Sequence, residues 1–153
     1  LIYPYLIYCF LVWGSASPTT LEKIFLLQKR LIRLITFNSY NEHTLPLFKT
    51  ARILPFNELY KYLCCIFVFK SLKCVYPESF RSIFNPFSAR VQSCTRLAIE
   101  GHYVIPYSRT KLRQNFLLSH AAKLYNDFIL PLNLIEHSLS LNSFKRSLKN
   151  ILL

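Results

Sequence analysis

Asp127 is the chain's one aspartate, and the six glutamates stand singly from Glu22 to Glu136. No two carboxylates fall within one helical turn. Two-metal phosphoryl transfer and the acid–base pair of a glycosidase both need clustered acids, so neither has a local scaffold here. The five cysteines (Cys9, Cys64, Cys65, Cys74, Cys94) are odd in number and lack C-x-x-C spacing, while His43, His102, His120 and His137 are isolated. Neither a zinc site nor a disulfide framework is signalled. Cys64 and Cys65 lie in an apolar run, where free cysteine behaves as a small buried hydrophobe, and that points to a reducing, intracellular setting, nuclear or cytoplasmic. Ser119, His120 and Asp127 supply the residue types of a hydrolase triad. Ser119 and His120 are sequence neighbours, however, and Gly14 and Gly101, the two glycines, build no nucleophile elbow. No catalytic residue, metal ligand or cofactor is expected in this chain.

Positive charge is what the sequence does offer. Nineteen Lys and Arg stand against seven acids, a formal net charge of +12 over 153 residues. Four of the cations, Lys23, Lys29, Arg30 and Arg33, share one predicted helix and fall within about a third of its circumference. Cationic side chains on a rigid helix can track a nucleic-acid backbone through its phosphates without reading bases. The same arc could equally be a solvated helix face. Tyr5, Tyr8 and Trp13 could stack on bases, but in so apolar a run they are expected in the core.

The helix that carries these cations is expected to start at Thr19-Thr20-Leu21-Glu22, a capping-box pattern. Leu21, Ile24, Phe25, Leu27, Leu31, Ile32, Leu34 and Ile35 should form its packed side. Upstream, Leu6 to Trp13 reads as a helix closed by Gly14. Leu1–Trp13 and Tyr62–Phe69 are both apolar, yet each falls short of the ~20 residues that span a bilayer, so no membrane span is expected. The first residue is Leu and Met is absent, which reads as a piece of a longer protein.

Downstream, a short helix with Pro46 in its first turn should run to about Ala51. A long one, capped by Asn57, should run from Glu58 to Lys73 with apolar residues on nearly every side, as a central helix has. Pro77, Pro86 and the Ser-, Asn- and Arg-rich stretch from Ser79 to Ser93 suggest an irregular linker. Residues 97 to 107, with a turn near Glu100-Gly101, suggest a small β-hairpin. Phe116 to Ile129 is helix-like until Pro131. Ser140 can cap a last helix with Leu141, Phe144, Leu148, Ile151 and Leu152 on one stripe and Lys145, Arg146 and Lys149 beside it. The 52% hydrophobic content rules out a disordered chain.

In order along the chain stand Tyr3-Pro4-Tyr5-Leu6-Ile7-Tyr8-Cys9 with Val12-Trp13-Gly14, Leu27-Gln28-Lys29-Arg30 with Ile32-Arg33, and Thr44-Leu45-Pro46-Leu47-Phe48. Ile53-Leu54, Leu59-Tyr60, Thr95-Arg96, Val104-Ile105-Pro106, Lys123-Leu124-Tyr125-Asn126, Leu130-Pro131 and Ser143-Phe144-Lys145-Arg146 follow. This series resembles the region after the polymerase core in non-LTR (LINE-like, jockey- or CR1-type) retrotransposon reverse transcriptases. Ala121-Ala122-Lys123-Leu124-Tyr125-Asn126 departs from the Gly-Pro-Lys-Leu-Trp-Asn frequent in that family, and the palm's Tyr-Xaa-Asp-Asp strand is absent.

The residue patterns give a mainly α fold with an irregular linker over 77–95, the small hairpin and a C-terminal helical segment, and the resemblance makes residues 1–76 a thumb-like helical bundle and 96–153 a post-thumb region. It implies a non-catalytic C-terminal fragment of an RNA-directed DNA polymerase. Such a fragment would hold RNA and DNA through backbone phosphates at Lys23, Lys29, Arg30 and Arg33, and would pair with the upstream polymerase palm of the same parent chain. The alternative from the residues alone is a helical module whose basic face docks on protein or on a membrane surface.

Overall fold

The computed structural model describes residues 3–73, 75–81, 84, 86, 95–114, 116–133 and 140–153. The fold is mainly helical, as the periodicities predict. Its axis is a helix that we call α5 (Phe56–Leu72), preceded by α1 (Tyr3–Ile7), α2 (Phe10–Trp13), α3 (Pro18–Ile35) and α4 (Thr44–Thr50). After it come the single turns α6 (Glu78–Arg81), α7 (Arg96–Ile99) and α8 (Lys111–Gln114), then α9 (Leu117–Leu124) and α10 (Leu141–Leu152).

An unbroken apolar run from Tyr62 to Phe69 leaves the middle of α5 without a polar face, and the other helices close around it. α2, α3, α6, α9 and α10 all pack against it. Cys64, Cys65, Val68 and Phe69 are fully enclosed. The Phe69 ring stacks on Phe144 of α10 at 4.4 Å between centroids, a contact worth roughly 0.5–1.5 kcal/mol beyond the area it buries. At the other end of α5, Phe56 and Tyr60 take Phe10 of α2 edge-on, at 4.8 and 5.7 Å. Ser140 caps α10 as its position predicts, its Oγ accepting from the Ser143 N–H at 3.2 Å.

Several local expectations need correction. The first helix is two, because Cys9 adopts a left-handed φ of 50° between α1 and α2. The Trp13 indole N–H donates at 2.7 Å to the Tyr8 carbonyl beside that break. Gly14 does close α2, but in right-handed geometry. Its need for glycine is spatial: a Cβ would lie 2.5 Å from both the Phe10 carbonyl oxygen and the Tyr60 ring. The capping box at Thr19 does not form. α3 begins one residue earlier at Pro18, whose missing N–H costs nothing in a first turn, and Thr19 shares its hydroxyl hydrogen bond with Ser17. Asn57 lies inside α5, and Pro55 precedes the helix.

The hairpin over 97–107 is absent. Residues 96–99 wind into α7, and the turn at Gly101 has a φ of 75°. Among the described residues the sole strand-like pairing is an isolated antiparallel bridge between Pro86 and Tyr103. Tyr103 finds its second partner in a side chain. The Asn126 amide accepts from the Tyr103 N–H and donates to the Tyr103 C=O, both at 2.8 Å, so a buried amide takes the place of the missing strand. Asn126 lies in the π turn Tyr125–Ile129 that follows α9. Most of the expected linker, including 87–94, lies outside the described residues.

Candidate nucleic-acid interface

α3 must present Lys23, Lys29, Arg30 and Arg33, so its rotation about its own axis decides the question. That rotation is set by a polar residue. Gln28 lies buried at the centre of the packed face, its Nε2 donating to the Leu54 C=O at 2.9 Å and its Oε1 accepting the Phe56 N–H at 2.8 Å. The Phe56 N–H is one of the first-turn donors that α5 cannot satisfy internally, and Pro55 provides no side-chain cap. Gln28 therefore caps α5 from another helix and pins α3 to it.

Around Gln28, Ile32 is buried, and Leu21, Ile24 and Phe25 are partly buried against the core. The packed side is narrower than the eight positions expected. Leu27 and Leu34 are 61% and 72% exposed, and Ile35 is half in water. The reason is geometric: Leu27 and Leu34 lie roughly 100–120° around the helix from Gln28, past the edge of the surface that α4 and α5 offer.

On the opposite side the four cations do share one arc. Lys23 and Arg30 are exposed, whereas Lys29 and Arg33 are half-buried. Lys29 Nζ lies 4.3 Å from the centroid of the Phe25 ring, a cation–π contact. Arg33 is tethered, its Nε donating to the Glu42 C=O at 3.0 Å while its guanidinium carbon lies 5.7 Å from the Tyr40 ring centroid. The ion pairs among the described residues are Lys61–Glu58 and Arg96–Glu100, with His102 hydrogen-bonded to Glu100 at 3.1 Å, and none of these engages the arc.

The C-terminal end of α3 closes by a Schellman pattern, with Asn38 N–H bonded to the Arg33 C=O and Phe37 N–H to the Leu34 C=O. Phe37 stands in the left-handed position, with a φ of 55°, and its side chain is 96% exposed. Tyr40, four residues beyond Thr36, is 73% exposed. Tyr5 and Tyr8, expected in the core, are also largely exposed, while Trp13 is half-buried against Phe10 and Phe56.

The remaining chemistry-bearing side chains serve the core. Burial pushes the Cys64 and Cys65 thiols up to about 12, which leaves them protonated and unreactive. Cys74, Cys94 and His137 lie outside the described residues. The His120 ring lies tilted against Tyr60 with 5.3 Å between centroids, and burial, reinforced by the charges of Lys123 and Lys61, lowers its pKa. Among the described residues no three His, Cys, Asp or Glu side chains converge as metal ligands, and no helix is long and apolar enough to cross a membrane.

Sequence reasoning missed Gln28, Phe37 and Tyr40. Gln28 was visible as the one polar position enclosed by Leu21, Ile24, Phe25, Leu31, Ile32 and Ile35 on the helical wheel. Phe37 and Tyr40 carry no comparable signal, since neither backbone handedness nor exposure is written in residue type. No family model, curated protein or solved structure matches the chain.

Proposed function

We propose that the chain is a non-catalytic, nucleic-acid-binding portion of a non-LTR retrotransposon reverse transcriptase, its α1–α5 bundle acting as a thumb. In this reading α3 holds RNA template and DNA primer by their phosphates, and the chemistry belongs to a polymerase palm in the parent chain. The observation that carries the reading is the arc of Lys23, Lys29, Arg30 and Arg33, fixed in rotation by Gln28 and free of carboxylate partners among the described residues. The net charge of +12 supports it by raising the local concentration of any polyanion. The ordered motif resemblance supplies the parent, and the scattered carboxylates fit a part that binds without catalysing.

The four cations are not equivalent. Lys23 and Arg30 reach into solvent, whereas Arg33 also ties the following loop to the helix. Lys23→Gln with Arg30→Gln is therefore the cleaner test, since Gln keeps helix propensity and leaves the packed side untouched. Each neutralised phosphate contributes roughly 0.7–0.9 to the slope of log affinity against log salt. The double variant should lose roughly 1.4–1.8 of slope on an RNA–DNA duplex, whatever its sequence. An unchanged slope and affinity would remove the thumb's mechanism. No primer should be extended by the chain alone with any divalent metal.

A second reading draws on a specific observation. Leu27 and Leu34, exposed next to Lys23 and Arg30, make the outer side of α3 amphipathic, which favours docking on a protein or an anionic membrane surface. Binding to anionic vesicles without binding to nucleic acid would select it.

A further inference from the structure

Phe37 is placed at two disadvantages. Its left-handed backbone is one that glycine adopts freely and that a bulky L-residue adopts at a cost. Its ring, 96% exposed, recovers nothing by packing. The left-handed turn is the ordinary end of a helix, where glycine or asparagine is usual, so what stands out is a large exposed aromatic ring in that place. Tyr40 follows on the same loop and is itself mostly exposed, with the Arg33 guanidinium over its ring. The Arg33 Nε bond to the Glu42 C=O fastens that loop to the basic arc. Two solvent-facing π surfaces thus adjoin the C-terminal end of the row of cations.

We propose that Phe37 and Tyr40 form a base-stacking platform for single-stranded nucleic acid whose phosphates run along Arg33, Arg30 and Lys29. This rests on the phosphate-binding reading of α3 and adds what the arc alone lacks, a preference for unpaired bases. A paired base has both faces covered by its neighbours in the duplex. An unpaired one offers a face to an aromatic ring whatever its sequence. The Arg33 guanidinium lies against the Tyr40 ring, which suits a polyanion, although the exposed Glu42 follows two residues further along the loop.

The decisive variant is Phe37→Gly. It removes the ring and relieves the left-handed backbone, so the melting temperature should hold or rise and lost binding cannot be ascribed to unfolding. Tyr40→Leu is the companion, because it removes the ring while the Arg33 Nε bond to the Glu42 C=O still fastens the loop. With a mixed-sequence single-stranded RNA and a blunt RNA–DNA duplex as probes, each variant should lose roughly 5- to 150-fold in single-strand affinity, the worth of one stacked base. Duplex affinity and salt slope should stay at the wild-type values.

Single-strand binding unchanged in both variants overturns the platform and leaves the phosphate reading standing. Equal losses on duplex and single strand overturn it too, since the rings would then serve the arc rather than unpaired bases. Loss of anionic-vesicle binding with single-strand affinity intact assigns the rings to a membrane and likewise overturns it. Wild-type protein that binds neither nucleic acid in a salt-dependent way removes the phosphate reading, and the platform with it.

Discussion

Replacing Gln28 by Met tests the feature that orients the whole candidate interface. Met matches the unbranched shape of Gln, so packing around Ile24, Phe25 and Ile32 is kept while both hydrogen bonds are lost. The Leu54 C=O and Phe56 N–H would then sit without partners beside residues that are 6% and 1% exposed. A buried backbone group left unsatisfied costs roughly 1–3 kcal/mol. The apolar side chain returns part of this, so a net loss of about 2–4 kcal/mol is expected. Against a total stability of roughly 5–15 kcal/mol that is a large fraction. With a urea slope of about 2 kcal/mol/M, the unfolding midpoint should fall by about 1–2 M. Hydrogen exchange supplies the local readout: the Phe56 amide should lose protection more than the amides of Phe67 to Phe69 further along α5. A midpoint shift under about 0.3 M, with Phe56 still protected, would show that the clamp holds nothing and that apolar contacts alone orient α3.

Gly14→Ala should destabilise by about 1–3 kcal/mol, because the new methyl meets the Phe10 carbonyl oxygen and the Tyr60 ring, and only the ring can yield; thermal melts would show it. In native protein, iodoacetamide should label the exposed Cys9 while sparing Cys64 and Cys65, and peptide mapping that finds the pair modified at the Cys9 rate would contradict their burial. Stability should fall on acidification, because His120 binds its proton less readily folded than unfolded. Its contribution is complete above the free-imidazole range and is lost as pH drops through the lowered folded value. His120→Phe should flatten that part of the stability–pH curve, and an identical curve for both proteins would refute the assignment.

Where periodicity and packing agreed, the sequence was legible. α4, α5 and α10 fall within a residue or two of their predicted limits, and the all-round apolarity of Glu58 to Lys73 correctly marks the central helix. The four cations of α3 were predicted on one arc, and they share one. The misreadings come from places where backbone torsion or a distant side chain overrules local pattern. With two glycines in the chain, Cys9, Phe37, Arg52 and Asn133 take left-handed positions that sequence rules reserve for glycine. Residues 97–107 have the alternation of a strand, but Asn126, more than twenty positions away, supplies the pairing that a hairpin partner would have given. Gln28 was passed over because amides usually face water, although every neighbour on its side of the wheel is apolar.

The Asn126 clamp also gives the protein a chemical lifetime distinct from its thermodynamic one. Asparagine is among the thermolabile side chains. Loss of its amide nitrogen would leave a carboxylate in the same place, still able to accept from the Tyr103 N–H but no longer able to donate to the Tyr103 carbonyl. Two oxygens would then face each other where a 2.8 Å hydrogen bond had been. An Asn126→Asp protein, one negative charge more acidic, should therefore show a defect that starts at the bridge between Tyr103 and Pro86.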